Sequence, residues 1–187
     1  MVQTVSRPDE TLLIQRSQAG DRAAFAVLVE HYWDRLYRWL CHLAHDRHTA
    51  EDIAQEAFLK ALAALGGFRA GGSFQAWLFR IAHNIFANQV RSKRRRLQKF
   101  PDDLASAQEG PADLAMSNEN LQLLARAVGR LPGEFRAAFL LRAEENMTFE
   151  AIALVLDVTP ETARWRVFKA RQKLMDVLAP QLEQDLP

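Results

Sequence analysis

LPGEFRAAFLLRAEENMTFEAIALVLDVTPETARWRVFKARQKL, residues 131–174, carries the spacing that decides the fold. Asn146 can take the left-handed conformation that ends a helix, Thr148 can cap the next one, and Ile152, Val155 and Leu156 give that next helix an apolar face. After the turn Asp157-Val158, Thr159 stands at an N-cap with Pro160 at the first helical position, where a missing N–H costs nothing. In the helix that follows, Ala163, Val167, Ala170, Leu174 and Val177 recur at helical spacing and are expected to face a core. Glu161, Trp165, Phe168, Lys169 and Gln172 are thereby turned outward, with Arg164 flanking them. The pattern predicts a helix-turn-helix whose second helix offers aromatic and basic side chains to duplex DNA. An ordinary three-helix packing unit with a solvated basic face would share much of this spacing.

Helical periodicity also dominates upstream, and the chain reads as all-α. A first helix is expected over about residues 9–19, stopped by Gly20, and a second over about 21–43, with Phe25, Leu28, Val29, Trp33, Leu36, Tyr37 and Leu40 on its apolar stripe. Thr49 and Asp52 form a capping-box pattern opening a third helix to about Leu65, which Gly66-Gly67 terminate. After the loop GGFRAGGS, Ser73 caps a fourth helix. Phe74, Trp77, Leu78, Ile81, Ile85 and Phe86 form its buried face, while Arg80, Asn84, Asn88, Arg91 and Arg95 line a polar and basic one. Over about residues 97–118 the periodicity fades into a segment with prolines and carboxylates but few large apolar residues, which reads as a flexible acidic linker. Leu121, Leu124, Ala125 and Val128 restart an amphipathic helix, so that residues 119–187 form a second helical domain distinct from residues 1–96.

The 187 residues carry a net charge of only +1, but Arg91, Lys93, Arg94, Arg95, Arg96 and Lys99 crowd one run and Asp102, Asp103, Glu109 and Asp113 follow it. The single cysteine, Cys41, excludes an internal disulfide framework and fits a reducing compartment. No apolar run is long enough to span a bilayer, and the start MVQTVSRPDE has no signal-peptide character, so a cytoplasmic protein without membrane insertion is expected. Cys41, His42, His45 and His48 lie close in sequence, but neighbouring side chains on a helix diverge, so this cluster is set aside as a metal site. With no nucleophile motif, phosphate loop, dinucleotide fingerprint or paired carboxylates, neither an enzyme nor a cofactor is expected.

AEDIAQEAFLKAL at residues 50–62, GGFRAGGSF at 66–74, FQAWLFRIAHNIFANQVRSKRRR at 74–96, and the carboxy-terminal LPGEFRAAFLLR and TFEAIALVLDVTPETARWRVFKARQKL resemble the extracytoplasmic-function group of bacterial RNA polymerase sigma factors. The likeness covers nearly the whole chain in the same order. It implies a subunit that brings core RNA polymerase to promoter DNA and helps open it, with the first domain handling the minus-ten element and the second the minus-thirty-five element.

Carried onto this sequence, the resemblance implies polymerase contacts at Asp52, Gln55, Glu56 and Leu59, which share one face of the third helix. Phe68 and Arg69 fall in the base-capturing loop, and Asn84 is placed to hydrogen-bond a base edge. Arg80, Arg91 and Arg95 fit a phosphate track, and Glu161, Arg164, Trp165, Phe168 and Lys169 fit the duplex-reading helix. Trp77 fits core packing better than stacking. Trp165 stands where the family usually has a small polar residue, which favours contact with thymine methyls over hydrogen bonding; Ala151 stands where a glutamate would complete a capping box with Thr148. An anti-sigma partner and a monomeric free state are also implied. The competing class is a conventional regulator, which would dimerise on a palindrome rather than read two unlike elements as a monomer.

Overall fold

The computed structural model describes residues 7–69, 71–99 and 119–182, and the regular structure among them is helical. Eight helices are formed among them: α1 (Arg7–Gln18), α2 (Arg22–Ala44), α3 (Arg47–Ala64), α4 (Phe74–Lys99), α5 (Glu119–Gly129), α6 (Gly133–Ala143), α7 (Phe149–Leu156) and α8 (Pro160–Leu182), with a single 3-10 turn at Leu65–Gly67. α4 runs through residues 97–99, the start of the expected linker, and the rest of that segment lies outside the described residues.

Helix ends follow local chemistry. Asp21 caps α2, its carboxylate accepting from the Ala23 and Ala24 amides at 3.0 and 3.1 Å, and these bonds with the Arg16 guanidinium hold its pKa below the usual range. α2 closes on His45, left-handed at φ 54°. The capping box expected at Thr49 and Asp52 is not formed. Asp46 is the N-cap of α3 instead, and both the amide and the hydroxyl of Thr49 donate to its carboxylate. An ionised carboxylate three residues earlier outcompetes a hydroxyl for the first-turn amides, which starts the helix early.

The first core is aromatic: Trp39 is fully buried with its ring 5.3 Å from that of Phe79, Tyr32 lies 5.5 Å from Phe74, and Trp33 stacks on Phe58 at 5.9 Å. Ala50, Ala54, Ala57 and Ala61, all buried, form the inward stripe of α3 and let α2 and α4 approach it closely. The second core is aliphatic, built from Leu140, Leu141, Ile152, Val155, Ala163, Val167, Ala170 and Leu174. Val177, expected inside, is exposed; the α8 stripe continues at Leu178, because a step of four from Leu174 stays closer to the helical repeat than a step of three.

α4 is buried on two sides, packing against α3 and also against α7, while α2 meets α6. Phe79 and Ala82, absent from the expected stripe, are fully buried as well, Phe79 against Trp39 of α2. Three histidines of α2, its C-cap and α4 have lowered pKa values. Desolvation is the main cause for each: for His42 with Arg136, Arg38 and His45, for His45 with Arg136, and for His83 with Arg166, against an opposing pull from Asp157. Although His42 Nε2 lies 3.8 Å from Glu144 Oε1, burial keeps the imidazole neutral at pH 7, so this contact is not an ion pair there. Below about 6.5, where unfolded histidine protonates, the unfolded chain binds more protons, and stability falls as the pH drops. Glu144, raised by burial, acts in the opposite sense only nearer its own range. The melting temperature is expected to be lower at pH 5.5 than at pH 7.5, with the difference reduced in His83→Gln; thermal melts in matched ionic strength check this.

Candidate nucleic-acid interface

α8 is the outer helix of a well-formed helix-turn-helix. Thr148 Oγ1 accepts the Ala151 amide at 3.2 Å to start α7, without help from a glutamate at residue 151. Asp157 ends α7 in the left-handed region at φ 54°, and Thr159 Oγ1 accepts the Thr162 amide at 3.2 Å to start α8. Glu150 and Glu161, in the first turns of α7 and α8, have carboxyl pKa values held down chiefly by backbone amides and by the Thr148 and Thr159 hydroxyls.

The outward face of α8 carries the residues expected there. Trp165 is 49% exposed and Phe168 62% exposed, large values for such rings on a chain with no partner bound. Trp165 is not loose: it stands edge-on against Phe135 of α6 at 5.5 Å. The guanidinium groups of Arg164 and Arg142 lie 5.2 and 5.4 Å from the centre of the Phe149 ring, and Arg142 also donates to the Met147 carbonyl at 2.8 Å. Lys169 is tied to Gln172 at 3.0 Å. Arg166, between Trp165 and Val167 in sequence, turns away from this face and pairs with Glu134 at 2.9 Å. Glu161, Arg164, Trp165 and Phe168 thus share one exposed strip, with Lys169 half-buried at its edge.

The loop before α4 is fastened from behind. Gln18 of α1 donates to the carbonyls of Leu65 at 3.0 Å and Phe68 at 2.9 Å. Phe68 is half-buried, its ring 5.0 Å from Trp77 and edge-on to Phe74 at 5.8 Å, while Arg69 is exposed. Gly72 lies in ordinary contact range of the Arg69 carbonyl and the Phe68 ring, and the glycine that the loop's backbone calls for is Gly71, at φ 94°. Trp77 is part-buried and packed on the core, as its place on the stripe implied. Gln18 is a positioning residue that the sequence did not single out, since its contact spans 47 residues of chain.

Along α4, Asn84, Arg91 and Arg95 are exposed, and Arg91 is steadied by the Asn88 side chain at 2.8 Å and the Ala87 carbonyl at 3.3 Å. Arg80 departs from the expected free face: it is half-buried, with Nη2 3.8 Å from Asp157 of the helix-turn-helix, because α7 packs on this part of α4. On α3, Asp52 and Gln55 are exposed, Glu56 pairs with Lys60 at 2.7 Å, and Leu59 is 70% exposed. Leu62 continues this face into a shallow groove with Arg22, Phe25, Ala26, Val29 and Glu30 of α2, an apolar extension that the α3 pattern alone did not reveal. Cys41 hydrogen-bonds with Tyr37, and no group of three or more metal-ligating side chains is assembled among the described residues.

The profile of sigma-70 region 2 matches residues 28–96, and that of sigma-70 region 4 matches residues 121–174. The RNA polymerase sigma-H factor of Pseudomonas aeruginosa is 32% identical over 191 aligned positions, covering 96% of this chain and 99% of the relative. The ECF RNA polymerase sigma-E factor of Escherichia coli K12 is 31% identical, covering 91% of this chain and 95% of its own length. Among solved structures, the sigma factor RpoE of Bartonella quintana, in complex with the anti-sigma factor NepR, superposes with a TM-score of 0.72 at 26% identity, covering 83% of this chain and 96% of that one. CnrH in complex with the cytosolic domain of CnrY shares the fold, with a TM-score of 0.66 at 23% identity over 95% of this chain and 99% of that one. With two sigma-70 regions in order and relatives matched along almost their whole length, the chain belongs to the sigma-70 family, in its extracytoplasmic-function group of RNA polymerase sigma factors.

Proposed function

We propose that this sigma factor directs core RNA polymerase to promoters by dividing the work between two surfaces. The strip Glu161, Arg164, Trp165, Phe168 and Lys169 on α8 reads the minus-thirty-five element as duplex. Phe68, Arg69 and Asn84, with Arg80, Arg91 and Arg95, hold the minus-ten element as its strands part. The observation that carries this reading is the 62% exposure of Phe168 beside a half-exposed Trp165 that Phe135 props on the outward face of α8. Exposed rings in that setting suit base edges and thymine methyls, and the arginines around them supply phosphate contacts. Around Phe68, a half-buried ring with an exposed arginine and an exposed amide nearby is the chemistry that captures an unstacked base. The polymerase performs the bond-making chemistry, the chain works as a monomer in the cytoplasm, and an anti-sigma factor controls it, as the partners of the solved relatives suggest.

Asp52, Gln55, Glu56 and Leu59 make the polymerase contact. An exposed apolar leucine rimmed by carboxylates suits a basic, amphipathic helical partner. Charge reversal at both Asp52 and Glu56 is expected to lower affinity for core polymerase tenfold or more, about 1.4 kcal/mol, with the helical circular dichroism unchanged. A titration of core polymerase with wild-type and reversed chains tests the assignment, and equal affinities would remove it.

A further inference from the structure

Two neighbouring residues of the exposed α8 strip are seated on rings from other helices. Trp165 stands edge-on against Phe135 of α6, and Arg164 holds its guanidinium over the Phe149 ring, 5.2 Å from the centroid. Phe149 is the first residue of α7, immediately after the N-cap Thr148, and its part-buried ring packs on the core. Arg142, in the last turn of α6, lies 5.4 Å from the same centroid and is tied to the Met147 carbonyl at 2.8 Å. A helix start, the core and a tethered guanidinium therefore fix the ring on which Arg164 rests.

How Arg164 is held bears on what it can do. Glu150 and Glu161 lie within its electrostatic reach, but their carboxyls are held down chiefly by backbone amides and by the Thr148 and Thr159 hydroxyls, with Arg164 contributing least to either. A carboxylate partner would take the in-plane N–H fork of the guanidinium, the same donors that a base edge or a phosphate needs. A ring beneath the cation attracts its charge and leaves that fork free.

We infer that Phe149 is a positioning residue for promoter recognition: its ring holds the Arg164 guanidinium with its donors free for the minus-thirty-five duplex before DNA arrives. The inference rests on the duplex-reading role of α8 proposed above, and extends it to a residue of the preceding helix. Without the ring, Arg164 samples many rotamers, is drawn toward the two carboxylates and must be ordered again on binding. The apparent affinity then falls by the fraction of chains in which Arg164 is correctly placed. Trp165 keeps its own prop in Phe135, so the loss is confined to what Arg164 contacts.

The test uses the full chain in holoenzyme with core polymerase. The probe is a duplex carrying the minus-thirty-five element of a promoter that this holoenzyme transcribes, together with the same duplex substituted one base pair at a time. Phe149→Leu and Phe149→Met fill the site without a ring, Phe149→Tyr retains one, and Arg164→Ala gives the profile of losses that belongs to the arginine. Circular dichroism melts establish that each variant is folded at the assay temperature. The two ringless variants should bind the unsubstituted duplex about fivefold more weakly and show the Arg164→Ala profile across the substituted ones, while Phe149→Tyr stays within about twofold of wild type. Added to Arg164→Ala, Phe149→Leu should weaken binding no further, because the side chain it positions is gone. Wild-type binding by both ringless variants, or an equal loss with and without Arg164, would overturn the inference and leave Phe149 as packing alone. If Arg164→Ala itself binds like wild type, the duplex-reading assignment of Arg164 falls and the inference with it; if Arg164→Ala is impaired and the ringless variants are not, only the inference falls.

Discussion

Trp39→Ala is expected to lower the unfolding free energy by about 3–5 kcal/mol, the range for emptying a fully buried large aromatic site. Trp39 is wholly inaccessible and packs on Phe79 at 5.3 Å and on His83 at 6.3 Å, both of α4. The loss has two parts: the transfer energy of the indole and the cavity left among rings that cannot collapse far. Trp39→Phe should be much milder, because the indole Nε1 has no hydrogen-bond partner to lose. Equilibrium urea unfolding of the three proteins measures the differences. A Trp39→Ala chain as stable as wild type would mean that the aromatic cluster does not hold the first unit together.

The second large effect separates the two DNA surfaces. Arg164→Ala or Trp165→Ala should weaken recruitment to duplex carrying the minus-thirty-five element by about 1–3 kcal/mol, a factor of roughly 5 to 150. That defect should persist on a template with a premade bubble, because the duplex contact lies elsewhere. Phe68→Ala or Asn84→Ala should spare duplex recruitment and impair opening, since lost stacking or edge hydrogen bonds remove what offsets unstacking. A bubble should rescue that defect in part. Trp165→Ala carries an added consequence: it also removes the edge-on contact with Phe135, so Trp165→Phe is the control that retains a ring. Open-complex formation on duplex and bubble templates, at fixed salt, reads each step. If both sets of variants fail alike at duplex binding, the division of labour is wrong.

The residues that could be placed from sequence are those whose role is set within one helix or turn. Thr148, Thr159 and Ser73 cap as their spacing requires, and Ala163, Val167, Ala170 and Leu174 turn inward, because both depend on neighbours a few residues away. The exposed Trp165 and Phe168 follow from the same register. What the sequence did not disclose depends on contacts distant along the chain. Arg35 and Glu145 are separated by 110 residues, and Gln18 holds a loop 47 and 50 residues away. Arg80 reads as a free cation by helical register, and only the docking of α7 turns it toward Asp157. Local competition can mislead as well: Thr49 and Asp52 fit a capping box, but Asp46 reaches the first-turn amides with a full charge.

The central claim is that this chain confers promoter recognition on a polymerase that lacks it. The purified protein should be added to core RNA polymerase and transcription start sites mapped across genomic DNA, with core polymerase alone as the reference. The account predicts a discrete set of new starts, each preceded by two unlike elements at fixed spacing, which Asp52 and Glu56 charge reversal diminishes. Starts indistinguishable from those of core polymerase alone would contradict it.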